Sequence, residues 1–213
     1  MQALIFDIDG TLLDSFEAAA GMLGDAIRTV LGDVRIREKW GMYEHVTDMG
    51  ILAGVAHDNG LDITSRMARA IEEDHLARLH RHVETRGAFR EIPGARDYVA
   101  AQLARSDVCV AYATGAWRSC ALMKLASAGF PVAGVPLATS NDHHERAGIM
   151  RHALSQLPQP VESITYYGDG EWDVVAASRL GWKFVPVGPK LGGLMKFEVQ
   201  DSNAHARHAD PME

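Results

Sequence analysis

Residues 1–15 read MQALIFDIDGTLLDS. Ala3–Asp7 is a short, almost continuously apolar run that ends on a carboxylate. A second carboxylate, Asp9, follows two residues later, with Gly10 and Thr11 directly behind it. A run of this kind suits a strand covered on both faces. A strand that merely stops needs one turn residue, not two like charges. Crowded carboxylates raise each other's pKa or demand a cation. The stretch therefore predicts a buried strand with something positive at its C-terminal end.

The rest of the chain is compatible with such a strand. Its 213 residues suffice for one sizeable domain, alone or with a smaller insert. Hydrophobic residues make up 47% of the chain, enough to build a real core. The 21 Lys and Arg against 28 Asp and Glu leave a net charge of −7. That balance argues against nucleic acid or an anionic membrane as the main partner. Cys109 and Cys120 do not make a disulfide scaffold, and Cys109 lies in an apolar run that reads as buried strand. No long basic leader and no apolar run of about 18–20 residues is visible, so a cytoplasmic location is expected.

Further strand-like runs are Asp107–Ala113, Ser163–Tyr167 and Lys183–Val187, with a weaker one at Val132–Ala138. Helical patterns alternate with them. Arg96–Leu103 follows an IPGA turn at Ile92–Ala95. Trp117–Ala128 carries Leu122, Leu125 and Ala126 on one stripe and stops at Gly129. Glu145–Leu157 stops at Pro158, and Asp173–Leu180 at Gly181. Strand and helix in alternation predict right-handed βαβ units, an α/β fold with a Rossmann-like parallel sheet flanked by helices. Between residues 16 and 85 no convincing strand occurs. Phe16–Leu31 is amphipathic, and Thr64–Val83 turns Met67, Ile71, Leu76, Leu79 and Val83 inward, with its Arg, Glu and His residues outward. The expected organisation is a core of residues 1–15 and 86–200, an all-helical insert of 16–85, and a loose tail of 201–213.

Ligands of open α/β sheets bind at the C-terminal ends of the strands. There the sequence places Asp7, Asp9, Gly10 and Thr11 after the first strand, Thr114 and Gly115 after the second, and Asp169 followed by Asp173 after the fourth. Carboxylates converging without Cys or His among them are hard oxygen ligands, which select Mg²⁺ over zinc.

The order DIDGT, then strand-end Thr114, then GDGEWD resembles the haloacid dehalogenase superfamily of aspartyl-nucleophile phosphotransferases. The helical insert is similar to the cap of its phosphoglycolate phosphatase and β-phosphoglucomutase branch. The resemblance covers nearly the whole chain apart from the tail. It implies that Asp7 is the nucleophile, forming an aspartyl-phosphate that water cleaves. Asp9 would protonate the leaving oxygen and later activate the water. Gly10 would permit the tight turn, and Thr11 would support it by hydrogen bonding. Thr114 and the Gly115 amide would hold phosphoryl oxygens. Asp169 would bind Mg²⁺, joined by Asp7 and the Asp9 carbonyl, with Asp173 a ligand or the partner of a metal-bound water.

In one respect the chain departs from the family. A Lys, often in a Lys-Pro pair, usually starts the helix before the GDxxxD strand, whereas ATSNDHHERAGIMRHAL contains none. Arg146 is the best cation there to steady nucleophile and phosphate, since Arg is permanently charged and forks to oxygen anions. Lys124 is an alternative by charge, placed deep in the preceding helix. His143, His144, His205 and His208 read as solvated, as does Lys39 beside Arg35 and Arg37. The stretch Glu38–Gly50 mixes Trp40, Tyr43, His45, Thr47 and Asp48 where such caps meet a substrate.

The resemblance implies a Mg²⁺-dependent phosphatase acting on a small phosphorylated metabolite. A dehalogenase proper is disfavoured, because Asp9 supplies an acid that carbon–halogen cleavage does not need. A phosphomutase using the same residues is the first alternative. A non-catalytic phosphate-binding or regulatory protein is the second, favoured only by the missing Lys.

Overall fold

The computed structural model describes residues 1–199; the expected tail, 201–213, lies outside them. Five parallel strands form one sheet in the order β3-β2-β1-β4-β5. They are β1 (Gln2–Phe6), β2 (Val108–Ala113), β3 (Leu137–Ala138), β4 (Ser163–Gly168) and β5 (Lys183–Pro186). The opening run is thus the central strand. Its side chains alternate between two cores, as the pleat requires. Leu4 and Phe6 pack with Ala95 and Val99 of α4 (Ala95–Leu103) and with Ala121 and Leu125 of α5 (Arg118–Ser127). Ala3 and Ile5 pack with Ile149 and Ala153 of α6 (Arg146–Ser155) and with Ala176 and Ala177 of α7 (Glu171–Leu180). Helices on both faces of a parallel sheet are the α/β architecture expected. Of the weak run Val132–Ala138, only its last two residues pair with β2.

The connection from β1 to α4 contains three helices, α1 (Phe16–Leu31), α2 (Asp48–Asn59) and α3 (Ser65–Arg86). Helix α2 has no counterpart among the sequence expectations. It starts at Thr47, whose hydroxyl accepts the Gly50 amide, and ends at Gly60 in the left-handed conformation. Two faces differ from expectation. In α3 the buried stripe is Ile71, His75 and Leu79, so one histidine points inward while Leu76 is only partly covered. In α5 Leu122 and Ala126 are exposed, and Cys120, Ala121, Lys124 and Leu125 form the buried face. The buried face has its own apolar residues, Cys120, Ala121 and Leu125, and carries Lys124 inward with them, where Asp9 meets its ammonium. Among the described residues, no helix is long and apolar enough to cross a membrane.

The register brings the strand ends level. Phe6 pairs with Tyr112 on one side and Tyr167 on the other. Just beyond that row, Asp7 one residue on and Thr114 and Asp169 two residues on emerge together at the end of the central strand, where the chain order reverses across the sheet.

Candidate active site

Asp7 is held at the end of β1 by its amide, which donates to the Tyr167 carbonyl at 2.9 Å. Gly10 then turns the chain at φ 82°, and a Cβ there would meet the Asp169 carboxylate at 2.2 Å. Glycine is required on both counts, the backbone angle and the approach. Thr11 is buried in this turn, but its hydroxyl has no hydrogen-bond partner, so the expected support by hydrogen bonding is not seen.

Asp7, Asp169 and Asp173 present oxygens within 4.8 Å of one another, all buried. Asp173 is anchored: one oxygen accepts the Gly170 amide at 3.1 Å, and the other lies 3.2 Å from the Tyr166 hydroxyl. Asp169 Oδ1 is buried without a partner. Burial, with Asp173 beside it, pushes the Asp169 carboxyl up to about 7. Burial likewise raises Asp7 well above the usual carboxylate range, with Asp173 and Asp169 adding to it and Arg146 opposing. An orphaned carboxylate oxygen inside three crowded acidic groups is what a hard divalent cation satisfies, and the all-oxygen donor set fits Mg²⁺. Asp9 lies outside this group of three side chains.

Two cations face the carboxylates. Arg146, the first residue of α6, places Nη1 3.0 Å from Asp7 Oδ1. Its Nε lies 3.4 Å from Asp173 Oδ1, a charge contact without hydrogen-bond alignment. Lys124 Nζ bonds both oxygens of Asp9 at 2.6 Å, and the Ser15 hydroxyl donates to one of them. Burial alone would raise Asp9; the ammonium and the hydroxyl instead hold it below the usual range. Arg146 and Lys124 are alternatives in the sequence, yet the fold uses both, one for each member of the opening pair.

Thr114 is buried at the end of β2, its hydroxyl accepting the Ala116 amide at 3.2 Å. The helical insert closes over this loop. The Asp48 amide donates to the Gly115 carbonyl at 2.8 Å, and the Trp117 amide donates to Asp48 Oδ2 at 2.8 Å. The Thr47 hydroxyl donates to the His144 carbonyl at 2.8 Å, and Arg146 Nη2 reaches the Val46 carbonyl at 3.2 Å. Burial pushes the Asp48 carboxyl up to about 7. Between insert and sheet lies a cavity of about 60 Å³, bordered by a cleft of about 1350 Å³ that shares Phe16, Trp40, Val46, Arg146 and Trp172 with it and also reaches Asp169. Asp7, Asp9, Thr114, Gly115, Lys124 and Arg146 line its polar wall, and Phe16, Leu23, Trp40, Ile51 and Trp172 its apolar one. His75 also borders it; burial and the nearby Lys124 push its imidazole down to about 4, so it is neutral.

Sequence reasoning gives no role to His75 and sets Lys124 aside. Of the stretch Glu38–Gly50, Trp40, Thr47 and Asp48 reach the cavity, while Tyr43 is buried within the insert, against Gly54. Lys39 is exposed.

A family model described as haloacid dehalogenase-like hydrolase matches residues 4–178. Among curated proteins, none matches the sequence. Solved structures that resemble the chain include β-phosphoglucomutase from Clostridium difficile, at 16% identity and TM-score 0.68, covering 88% of this chain and 84% of that one. CbbY from Rhodobacter sphaeroides in complex with xylulose-(1,5)bisphosphate is 19% identical at TM-score 0.66, covering 90% and 91%. A putative phosphoglycolate phosphatase from Lactobacillus plantarum is 16% identical at TM-score 0.58, covering 87% and 86%. At such identities the likeness is one of fold.

Proposed function

Since the chain belongs to the haloacid dehalogenase-like hydrolase family, we propose that it is a Mg²⁺-dependent phosphatase that hydrolyses a small phosphate monoester through a phosphorylated Asp7. The observation that carries this reading is the separate pairing of the two opening carboxylates, Asp7 with Arg146 and Asp9 with Lys124. Two carboxylates with different partners do different work. Mg²⁺ held by Asp7, Asp169 and Asp173, with the Asp9 carbonyl, would screen the acidic group and offset phosphoryl charge, an effect worth several kcal/mol at comparable sites.

The chain's own residues supply the remainder. Arg146 holds the Asp7 carboxylate in place and presents fixed positive charge to the incoming phosphoryl group. Thr114 and the Gly115 amide bind phosphoryl oxygens. Asp7, ionised once a cation is held beside it, attacks phosphorus. Asp9, which Lys124 and Ser15 hold ionised in the free protein, takes up a proton as substrate enters and gives it to the departing oxygen. In its ionised form it then takes one from the water that cleaves the aspartyl-phosphate. The insert, acting as a cap, excludes bulk water through the contacts of Val46, Thr47 and Asp48.

Cavity size bears on the substrate. A water needs roughly 10–15 Å³ in this measure, so 60 Å³ corresponds to a phosphoryl group and a few further atoms. The small cavity takes the phosphoryl end, and the adjoining cleft has room for the remainder of the ester; retention of phosphorus on a bisphosphate substrate would mark a mutase. The non-catalytic alternative loses its support, because Arg146 occupies the place of the missing cation. The test is a panel of small phosphate monoesters with and without Mg²⁺. Metal-dependent release of phosphate that disappears in Asp7→Asn is expected, and no turnover with any divalent metal would overturn the reading.

A further inference from the structure

Lys124 is a buried charge for which the packing of α5 has no use. Its side chain is 1% exposed, on a face otherwise made of Cys120, Ala121 and Leu125. Taking an ammonium out of water is costly, and an apolar side chain of similar volume is usually as stable or more so. Among the described residues its Nζ has no hydrogen-bond partner but the two Asp9 oxygens, both at 2.6 Å. Ser15 adds a third bond to the same carboxylate. A carboxylate gripped at both oxygens and again from the side cannot rotate about its own axis, whereas a single contact would leave it free to swing.

We propose that Lys124, together with Ser15, is the positioning residue for Asp9, holding that carboxylate on the polar wall of the cavity and apart from the Asp7–Asp169–Asp173 group, so that it meets the leaving oxygen. This rests on the phosphatase reading. Arg146 places the nucleophile from α6, Lys124 places the proton-transfer group from α5, and the two helices lie on opposite faces of the sheet. Each end of the reacting bond is therefore set by its own cation. Displacement of about 1 Å in such a group can cost 10²-fold in rate.

The distinguishing measurement is the dependence of rate on the leaving group. Acetyl phosphate releases acetate, which departs without a proton. Ethyl phosphate releases an alkoxide, which does not. Both are small enough for the cavity. Lys124→Met is expected to lose at least tenfold more in kcat/KM, which covers the steps up to departure of the leaving group, on ethyl phosphate than on acetyl phosphate, and Ser15→Ala should show the same bias to a smaller degree. Methylammonium added to Lys124→Ala should restore ethyl phosphate turnover selectively, a readout that a merely structural residue does not give. Equal losses on the two esters in the folded variants, or no loss, would overturn the positioning role while leaving the phosphatase reading intact. Should Lys124→Met fail to fold, Ser15→Ala decides by the same comparison. Absence of turnover in the unaltered chain on either ester and on the wider panel would overturn both.

Discussion

The Arg146 guanidinium lies 3.0 Å from the Asp7 carboxylate, from the helix position where the family usually has Lys. One planar group serves Asp7, Asp173 and the Val46 carbonyl of the insert. A lysine ammonium is a point charge and cannot fork to all three. Arg146→Lys should therefore keep partial activity, and Arg146→Met should lose about 10²–10³-fold in kcat/KM. Arg146→Met also leaves two buried carboxylates uncompensated, and about 3–5 kcal/mol of stability should go with it in metal-free protein. Steady-state kinetics and urea denaturation check the two parts.

At Gly115 the insert lies close against the loop between β2 and α5. A Cβ there would lie 2.9 Å from both Arg146 Nη2 and the Val46 carbonyl, and 3.2 Å from Thr47 Cα. Two of these neighbours are backbone and cannot step aside. Gly115→Ala should cost about 1–3 kcal/mol of stability and lower kcat/KM at least tenfold by lifting the insert. Unchanged kinetics would mean that closure is not needed.

Asp48 belongs to the insert, yet its carboxylate accepts the Trp117 amide just ahead of α5. Removing the acceptor leaves a buried N–H unsatisfied, at about 1–3 kcal/mol. Asp48→Ala should show that loss in chemical denaturation, along with a raised KM. Asp48→Asn keeps an acceptor oxygen and should lose less than half as much.

His75 gives the fold a pH dependence of known sign. Its folded value of about 4 lies below the ordinary 6.5. Between those values the unfolded chain binds a proton at His75 that the folded chain does not, so the His75 contribution to stability rises with pH. It runs against the opposite slope from Asp48 and Asp169, whose carboxyls are raised to about 7. The His75 contribution is present above about 6.5 and is lost as pH falls through 4, amounting to about 3 kcal/mol. His75→Leu should shift the slope of unfolding free energy against pH in the negative direction over this window; an unaltered slope would remove His75 as a contributor.

The parts of the site that could be read from the sequence are those encoded within a few residues of a strand end. Asp7, Asp9, Thr114, Asp169 and Asp173 sit where apolar runs stop, and the parallel register then brings those stops together. Arg146 was readable by elimination, as the cation at the right helix start. Lys124 could be named only by its charge, as the alternative to Arg146, because its inward orientation depends on a carboxylate 115 residues away. Leu122 and Ala126 made the opposite face of α5 look like the core. His75 was hidden in the same way, its position in the Ile71–Leu79 stripe being masked by its polar identity. Helix α2 had too little periodic signal in DMGILAGVAHDN to stand out, since buried residues follow one another in its first turns.

The central claim is that Asp7 is the group that attacks phosphorus. Asp9→Asn cannot activate the hydrolytic water, but acetyl phosphate needs no acid to lose its acetate. Mixing this variant with acetyl phosphate and Mg²⁺, quenching in acid and measuring peptide masses should place one phosphoryl group on the peptide that contains Asp7, and none when Asp7→Asn is added. Turnover of acetyl phosphate that survives Asp7→Asn, with no phosphorylated Asp7 at any quench time, would contradict the account.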